Sequence, residues 1–470
     1  MKPGFRAGAR VPRSLAEPRI RPGVVGLFRF IAPAYMKAVL GFDSLEMRHP
    51  ERVVRAYEAF FKRESRLLIA FRHPYGDEAQ VVAYLVGKMV GRAAAAMGVP
   101  LPRTPHAIFV HGYEVPLWGG PLERWLLPRV GALPVYHAKM NRDSMARIRA
   151  AMKDGEYPLA LAPEGQVSYT SEALPRIESG AARICAWCVE DLAREGRNER
   201  VEILPISIHH HWGQDAEAGL DKLIARMEAE CGLASPGAAA PPARGSSFPE
   251  RHTRLLALAD RILGLAERHY SLMYGFSLPE PGNPGRRRRL ECLMEAALAT
   301  AEKALGLVPE GDRIQRVYAI RQVCWDRMFP AELAGQCALS PLERALADRA
   351  AGEAWYASRH MEFVDLAWYL DFERLEIGDP LELYIEAAQN CFDLISRLSG
   401  GNISDRASVR GKKALLSIGE PIDASRTISE SGSGRKAAVA ELTGQLARAF
   451  LDLAEEHRAE RRAGFQARQP

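Results

Sequence analysis

The sequence predicts an α/β protein whose central sheet is mainly parallel and covered by helices. Three observations carry this. Short apolar runs such as "RLLIAF" (66–71), "YPLALA" (157–162) and "VEILPISIHH" (201–210) have the length and composition of strands buried on both faces. Segments of helical periodicity, such as "DEAQVVAYLVGKMVGRAAAAMG" (77–98) and "GAARICAWCVEDLARE" (180–195), alternate with them. A chain of 470 residues, 47% hydrophobic and 26% charged, is long and apolar enough for two or three folded domains and unlike a disordered polymer.

Taken in order, "GVVGLFRFIAPAYMKAVLGF" (23–42) is the most lipid-like stretch. Arg29, Pro33 and Lys37 interrupt it, so it does not suit a spanning helix. It reads as an interfacial amphipathic element with Phe28, Phe30, Ile31, Tyr35 and Leu40 as anchors, or else as a helix packed on the protein's own core. Helical spacing follows at 50–64, then the strand 66–71, then the helix from Asp77 with an acidic first turn. "HAIFVHGYEV" and "GALPVYHA" (131–138) are strands, and "RDSMARIRAAMKDG" is a helix ending at Gly155. The strand 157–162 stops at Pro163, and helix 180–195 leads to strand 201–210. From about 213 to 409 the chain is mostly helical, broken by Pro/Gly-rich loops at 235–250 and 279–289. "KKALLSIGEPID" (412–423) is again a strand, and a terminal helix runs from about 435 to 458.

Charge is unevenly spread. Residues 1–40 hold eight cations (Lys2, Arg6, Arg10, Arg13, Arg19, Arg21, Arg29, Lys37) against Glu17, so this arm carries +7 and the rest of the chain sums to −2 against a net of +5. Such an arm suits an anionic lipid surface; nucleic acid, a solvated tail and a transit peptide are the other readings. Seven cysteines form no dense framework, which points to a reducing compartment. Cys185 and Cys188 lie in an apolar helix and read as core. His209 and His211 share a strand face without a visible third ligand, and no metal is expected. Arg286–Arg289 read as a solvated surface, with phosphate contact as the alternative. The aromatics of "CWDRMF" and "AWYLDFERLEIG" read as helix core, or as the lining of an acyl channel.

Two stretches carry candidate chemistry. In "FRHPYGDEAQ" (71–80) a strand end delivers His73, a turn follows, and Asp77 and Glu78 open a helix. A carboxylate there would fix the imidazole tautomer, leaving the other ring nitrogen to take a proton from an alcohol; a loop-capping histidine is the plain alternative. In "LALAPEGQVSYTSEALPRIESGAARIC" (159–185) a strand delivers Pro-Glu-Gly into a loop. Glu164 is placed there to bind hydroxyl or head-group atoms, and Gly165 to let a ligand approach the backbone.

Together these stretches resemble the phospholipid/glycerol acyltransferase family, which includes the 1-acylglycerol-3-phosphate acyltransferases. "FRHPYGDE" is similar to the family's first block and "GALPVYHAKMNRDS" to its second. "LAPEGQVSY…LPRIESGAARIC" is similar to the third, and "ILPISI" (203–208) to the fourth. "LLSIGEPID" (415–423) is like the strand that precedes the family's last helix. The resemblance covers 66–212 and 410–457. It implies a glycerolipid acyltransferase-like fold with His73 as base, Asp77 or Glu78 as its orienting acid, and Glu164 and Gly165 at the acceptor. Glu78 matches the family's spacing and Asp77 its residue type; the residue type favours Asp77. The chain departs from the family where His137 replaces an arginine and where Gln166 and Val167 follow Gly165. Phosphate recognition would then fall to Lys139, Arg142, Arg176 or Arg183.

The expected organisation is a basic arm with membrane-interface helices (1–65), a catalytic core (66–212 and 410–457), a helical insertion (213–409) and a tail (458–470). The expected activity moves an acyl chain from acyl-CoA or acyl carrier protein, as co-substrate, to a lysophospholipid or glycerolipid hydroxyl. The protein would be cytoplasmic and peripheral on a membrane face, with no bound cofactor, metal or nucleic acid. A hydrolase or transacylase on the same fold, and a catalytically decayed lipid-binding scaffold, are the competing readings.

Overall fold

The computed structural model describes all residues except 1–7, 12–16, 136–141, 172, 214, 234–245, 278–284, 335–338, 402–405, 433 and 467–470. The chain divides into two compact units. One comprises residues 16–211 and 411–470; the other comprises 1–15 and 212–410.

The first unit is an α/β layer structure. Its chain begins with α1 (Pro22–Ala38), β1 (Phe42–Arg48), α2 (Pro50–Phe61) and β2 (Ser65–Phe71). Helix α3 (Glu78–Tyr84) continues through a π turn (Leu85–Val90) into α4 (Gly91–Ala96). Then come β3 (Ile108–Gly112), α5 (Val115–Trp118), α6 (Pro121–Arg129), β4 (Leu133–Val135), α7 (Arg142–Asp154), β5 (Leu159–Leu161), α8 (Gly180–Arg194) and β6 (Arg200–Trp212).

The sheet has eight strands in the order β1-β7-β6-β2-β5-β3-β4, where β7 is Lys412–Ile418. A short β8 (Ile422–Asp423) pairs antiparallel with β6, while β1–β7, β2–β6, β2–β5, β3–β5 and β3–β4 are parallel. Two helices close the unit, α15 (Ala424–Glu430) and α16 (Arg435–Gln466), the latter running past the expected end near 458.

Every residue of β2 is buried, as a central parallel strand requires. Its side chains alternate between two cores. Leu67, Ile69 and Phe71 join α2, α3 and β1 on one face, and Leu68 and Ala70 join α8 and α16 on the other. Strand β6 obeys the same period: Leu204, Ile206 and Ile208 face the first core and Val201 and Ile203 the second. That period places His210 on the first side and His209 on the second, where its ring stacks on His457 of α16 at 4.0 Å.

Residues 16–65 cluster with this unit, where the sequence suggested a separate segment of arm and interface helices. Strand β1 was missed because its burial alternates weakly; Glu46 and Arg48 break the apolar pattern. Tyr35 and Leu40, expected as lipid anchors, pack against the first core, and Phe28 is half-buried. The exposed side of α1 carries Leu27, Phe30 and Ile31. Among the described residues, no helix is long and apolar enough to cross a membrane.

The second unit is helical: α9 (Ala216–Glu230), α10 (Phe248–Tyr274), α11 (Arg286–Leu305), α12 (Arg313–Met328), α13 (Pro341–Ala367) and α14 (Leu381–Leu398). Capping boxes start three of them, Ser247 with Glu250, Asp312 with Gln315 and Ser340 with Glu343. Arg286 and Arg289 form ion pairs with Asp260 and Glu267 of α10, so the arginine run ties two helices together. In the aromatic segments, Trp325 stacks on Phe329 at 4.4 Å, and Trp368 is exposed beneath the Arg313 guanidinium.

Candidate active site

At the carboxyl end of β2 the backbone N–H of Arg72 still donates to Ile206 O of β6, and the ladder then gives way to a turn. This is where a parallel sheet offers functional groups to a crevice. The Arg72 side chain turns inward and is only 1% exposed. Its Nε donates to Glu164 Oε1 at 2.5 Å, and its Nη2 to the carbonyls of Thr170 (3.1 Å) and Ala173 (2.9 Å). Glu164 is fully buried and also accepts the His73 backbone N–H at 3.2 Å. A buried guanidinium demands such a carboxylate. Glu164 therefore fixes the backbone that carries His73. Its Oε1 is thus engaged within the protein, where the expectation gave the carboxylate to the acceptor, while Oε2 has no hydrogen-bond partner among the described residues.

His73 Nδ1 lies 2.7 Å from Glu78 Oε2. The backbone N–H groups of Tyr75 and Gly76 each donate to the same carboxylate at 2.8 Å. Gly76 has φ +100°, a conformation that side chains disfavour, and this bend turns the amides inward. Glu78, the first residue of α3, is fully buried. Burial alone would raise its pKa, but the hydrogen bond and charge of His73 outweigh this and hold it well below the usual range. An ionised carboxylate only accepts, so His73 Nδ1 is the donor and Nε2 the basic nitrogen. Burial pulls the His73 pKa down, and the hydrogen bond and charge of Glu78 reverse this, leaving it raised. The imidazole keeps 21% of its side-chain surface exposed.

Asp77, the acid that residue type favoured, hydrogen-bonds elsewhere. Its carboxylate pairs with Lys412 Nζ at the start of β7. The Lys412 ammonium also lies 4.1 Å from the centre of the Phe42 ring. The correction has a simple cause: the turn amides and the longer glutamate side chain converge on His73, while a buried lysine claims the aspartate. His210 Nε2 lies 3.8 Å from Asp77 Oδ1, and its ring meets Tyr75 edge-on at 4.5 Å. Burial pushes the His210 pKa down to about 4, so it is neutral near pH 7. Asp77, Glu78 and His210 offer ligand atoms within 4.8 Å of one another, a spacing that a cation could bridge. The paired Lys412 already supplies positive charge there.

The loop after β5 packs on this turn. Ser168 N–H donates to His73 O at 3.0 Å, and Glu178 N–H closes the loop onto Pro163 O at 2.7 Å. Gly165 has φ +76°, and the Glu178 carboxylate occupies the space beside its Cα. The glycine thus admits a side chain of the protein itself, where a ligand had been expected. In Gly165→Ala the new methyl would lie 2.7 Å from the Glu178 carboxyl carbon in a left-handed conformation. A loss of about 1–2 kcal/mol is expected in urea unfolding, the cost of that conformation for an L-residue.

His137 and Lys139 lie outside the described residues. Arg142 opens α7, Arg176 precedes α8 and Arg183 sits in the first turn of α8; all three are exposed. Cys185 and Cys188 are buried in α8, and burial pushes the Cys188 thiol up to about 12, as fits core packing. Sequence reasoning missed Arg72, His210 and Lys412. His210 was legible from the period of two, since it faces opposite to His209 and His211. Lys412 had no local signal, because its partner lies 335 positions away.

No family model, no curated protein and no solved structure matches this chain.

Proposed function

We propose that the protein is an O-acyltransferase acting at a membrane face, with His73 as general base and Glu78 as its positioning acid. The observation that carries this reading is the 2.7 Å contact of His73 Nδ1 with a buried, ionised Glu78 at the carboxyl end of the central strand. It leaves Nε2 basic and the ring partly open to solvent. In the proposed reaction Nε2 takes the proton of an acceptor hydroxyl. The acceptor oxygen forms a bond to the thioester carbonyl carbon of acyl-CoA or acyl carrier protein, and the tetrahedral adduct collapses with loss of the C–S bond. The His73 imidazolium returns the proton to the departing thiolate, giving an ester and a free thiol.

A lysophospholipid or glycerolipid hydroxyl suits the ordered sequence blocks. Glu164 has its Oε1 tied to Arg72 and to the His73 backbone, so its main contribution in this reading is to hold the segment that carries the base. The exposed apolar side of α1 supports a peripheral, cytoplasmic-face location.

The test is thiol release and radiolabelled ester formation from a panel of acyl-CoAs and acyl carrier proteins, each offered with several lysolipids. Wild type is expected to form ester, and His73→Ala to lose on the order of 10³-fold in rate, the contribution typical of general acid–base catalysis. Thiol release without ester would make the protein a hydrolase. Activity that survives in His73→Ala would remove His73 from the mechanism. No turnover with any pair would favour the binding-scaffold reading.

A further inference from the structure

Helix α6 was not anticipated from the sequence, and it exposes large apolar side chains. Leu122 is 55% exposed and Trp125 42%. The Arg129 guanidinium lies 4.7 Å from the centre of the Trp125 ring and donates to the Trp125 carbonyl at 2.7 Å. An indole capped by a cation, beside an open leucine, is the chemistry of the water–lipid interface.

Helix α6 packs against α1. The chain entering α1 runs along the end of α6: Arg19 N–H donates to Pro128 O and Arg21 N–H to Arg129 O, each at 2.8 Å. Between these residues Ile20 packs over Gly131, leaving no room for a Cβ there. The two helices are thus fastened together.

The outer side of α1 is uncharged over several turns. Leu27, Phe30 and Ile31 are exposed at helical spacing, Phe30 to 79%. Arg29, the one charge between Pro22 and Met36, turns inward and donates to Gly87 O of the π turn at 2.7 Å. The exposed charges flanking the helix are the cations Arg19, Arg21 and Lys37, with Glu17 further back and paired with Arg147. Helix α6 adds the exposed Arg124, with Glu123 the only acid on either helix. Exposed apolar surface with a cationic rim complements an anionic bilayer rather than a protein partner or a second copy. The platform also borders the site, because α1 packs against α3, whose first residue is Glu78.

We infer that α1 and α6 form one two-helix docking platform for an anionic lipid bilayer, with Leu122 and Trp125 entering the interface alongside Phe30 and Ile31. This rests on the membrane-face reading above and adds to it a second, mid-chain helix.

The experiment is co-sedimentation of the full chain with phosphatidylcholine vesicles, with and without 30% phosphatidylglycerol (roughly that fraction suffices for a cytoplasmic-leaflet charge). Wild type should bind the anionic vesicles and release at high salt. Leu122→Glu combined with Trp125→Glu should lower partitioning at least tenfold, as should Phe30→Glu with Ile31→Glu. Val308→Glu, at an 86% exposed position of the helical unit, should change nothing. Arg21→Gln and Lys37→Gln should each weaken binding roughly fivefold, the effect of one interfacial charge. All these positions are exposed, and circular dichroism melts verify that the variants fold.

Wild-type binding by the α6 variant would overturn the inference, as would absence of binding to anionic vesicles. A dimer in analytical ultracentrifugation that the α6 variant dissolves would overturn it in favour of a second copy. Acyl transfer to a short-chain lysolipid below its micelle concentration separates the two claims. Docking variants that keep this activity leave the catalytic reading standing. Wild type that docks but transfers nothing removes only the catalytic reading.

Discussion

Glu78→Gln is expected to lower the rate of acyl transfer on the order of 10²–10³-fold and to move its pH profile toward acid. The sign follows from the site. His73 works as a base only when neutral, and Glu78 raises its pKa above the ordinary value. Wild-type kcat/KM should therefore climb with pH through a midpoint above about 6.5. Glutamine keeps the shape but removes the charge, so burial then dominates and the midpoint falls below that value. The plateau falls as well, because an amide can present its NH₂ to Nδ1 and favour the unproductive tautomer. Asp77→Asn should leave the midpoint closer to wild type, since that carboxylate faces Lys412. Rate profiles from pH 5 to 9 for the three proteins check this. If Asp77→Asn produces the large loss and Glu78→Gln does not, the acid assignment is reversed.

The second large effect is on stability. Arg72→Met leaves the fully buried Glu164 carboxylate without its cation and removes the donors to Thr170 O and Ala173 O. A loss of about 3–5 kcal/mol is expected, the usual result of breaking one side of a buried pair. Adding Glu164→Gln to Arg72→Met should recover a substantial part, because the orphaned charge is gone. Urea unfolding of the two single variants and the double variant measures the coupling. Additive losses would mean that the pair does not act as a unit.

The α/β alternation was legible because buried strands and amphipathic helices have different periods. Strand β2, with seven buried residues in a row, announces itself; strand β1, with three charges in seven positions, does not. His73 and its acid were legible for a similar reason, since strand, turn and helix start lie within eight residues. The choice between Asp77 and Glu78 was not. It depends on the exact bend that aims the Tyr75 and Gly76 amides, which composition does not specify, and on Lys412, which is distant in sequence. Glu164 shows the opposite failure. Its motif suggested ligand contact, but the buried Arg72, distant in sequence, takes its Oε1. Gly165 was singled out for the right backbone property, and Glu178 fills the space it opens.

The position of β7 ties the site to the order of synthesis. Strand β1 finds its partner in β7, and Asp77 its ammonium in Lys412, yet both wait while the whole helical unit is translated. At ribosomal speeds of about 5–20 residues per second, the 335 positions between Asp77 and Lys412 correspond to roughly 20–70 seconds. During that interval the nascent sheet has an open edge at β6, and Asp77 lacks its counter-charge. A ribosome stalled within the insertion would hold a chain that contains every residue of the His73 block but lacks the strand that pairs with β1 and the ammonium that pairs with Asp77. Completion of the sheet beside His73 thus depends on a strand made only after the helical unit.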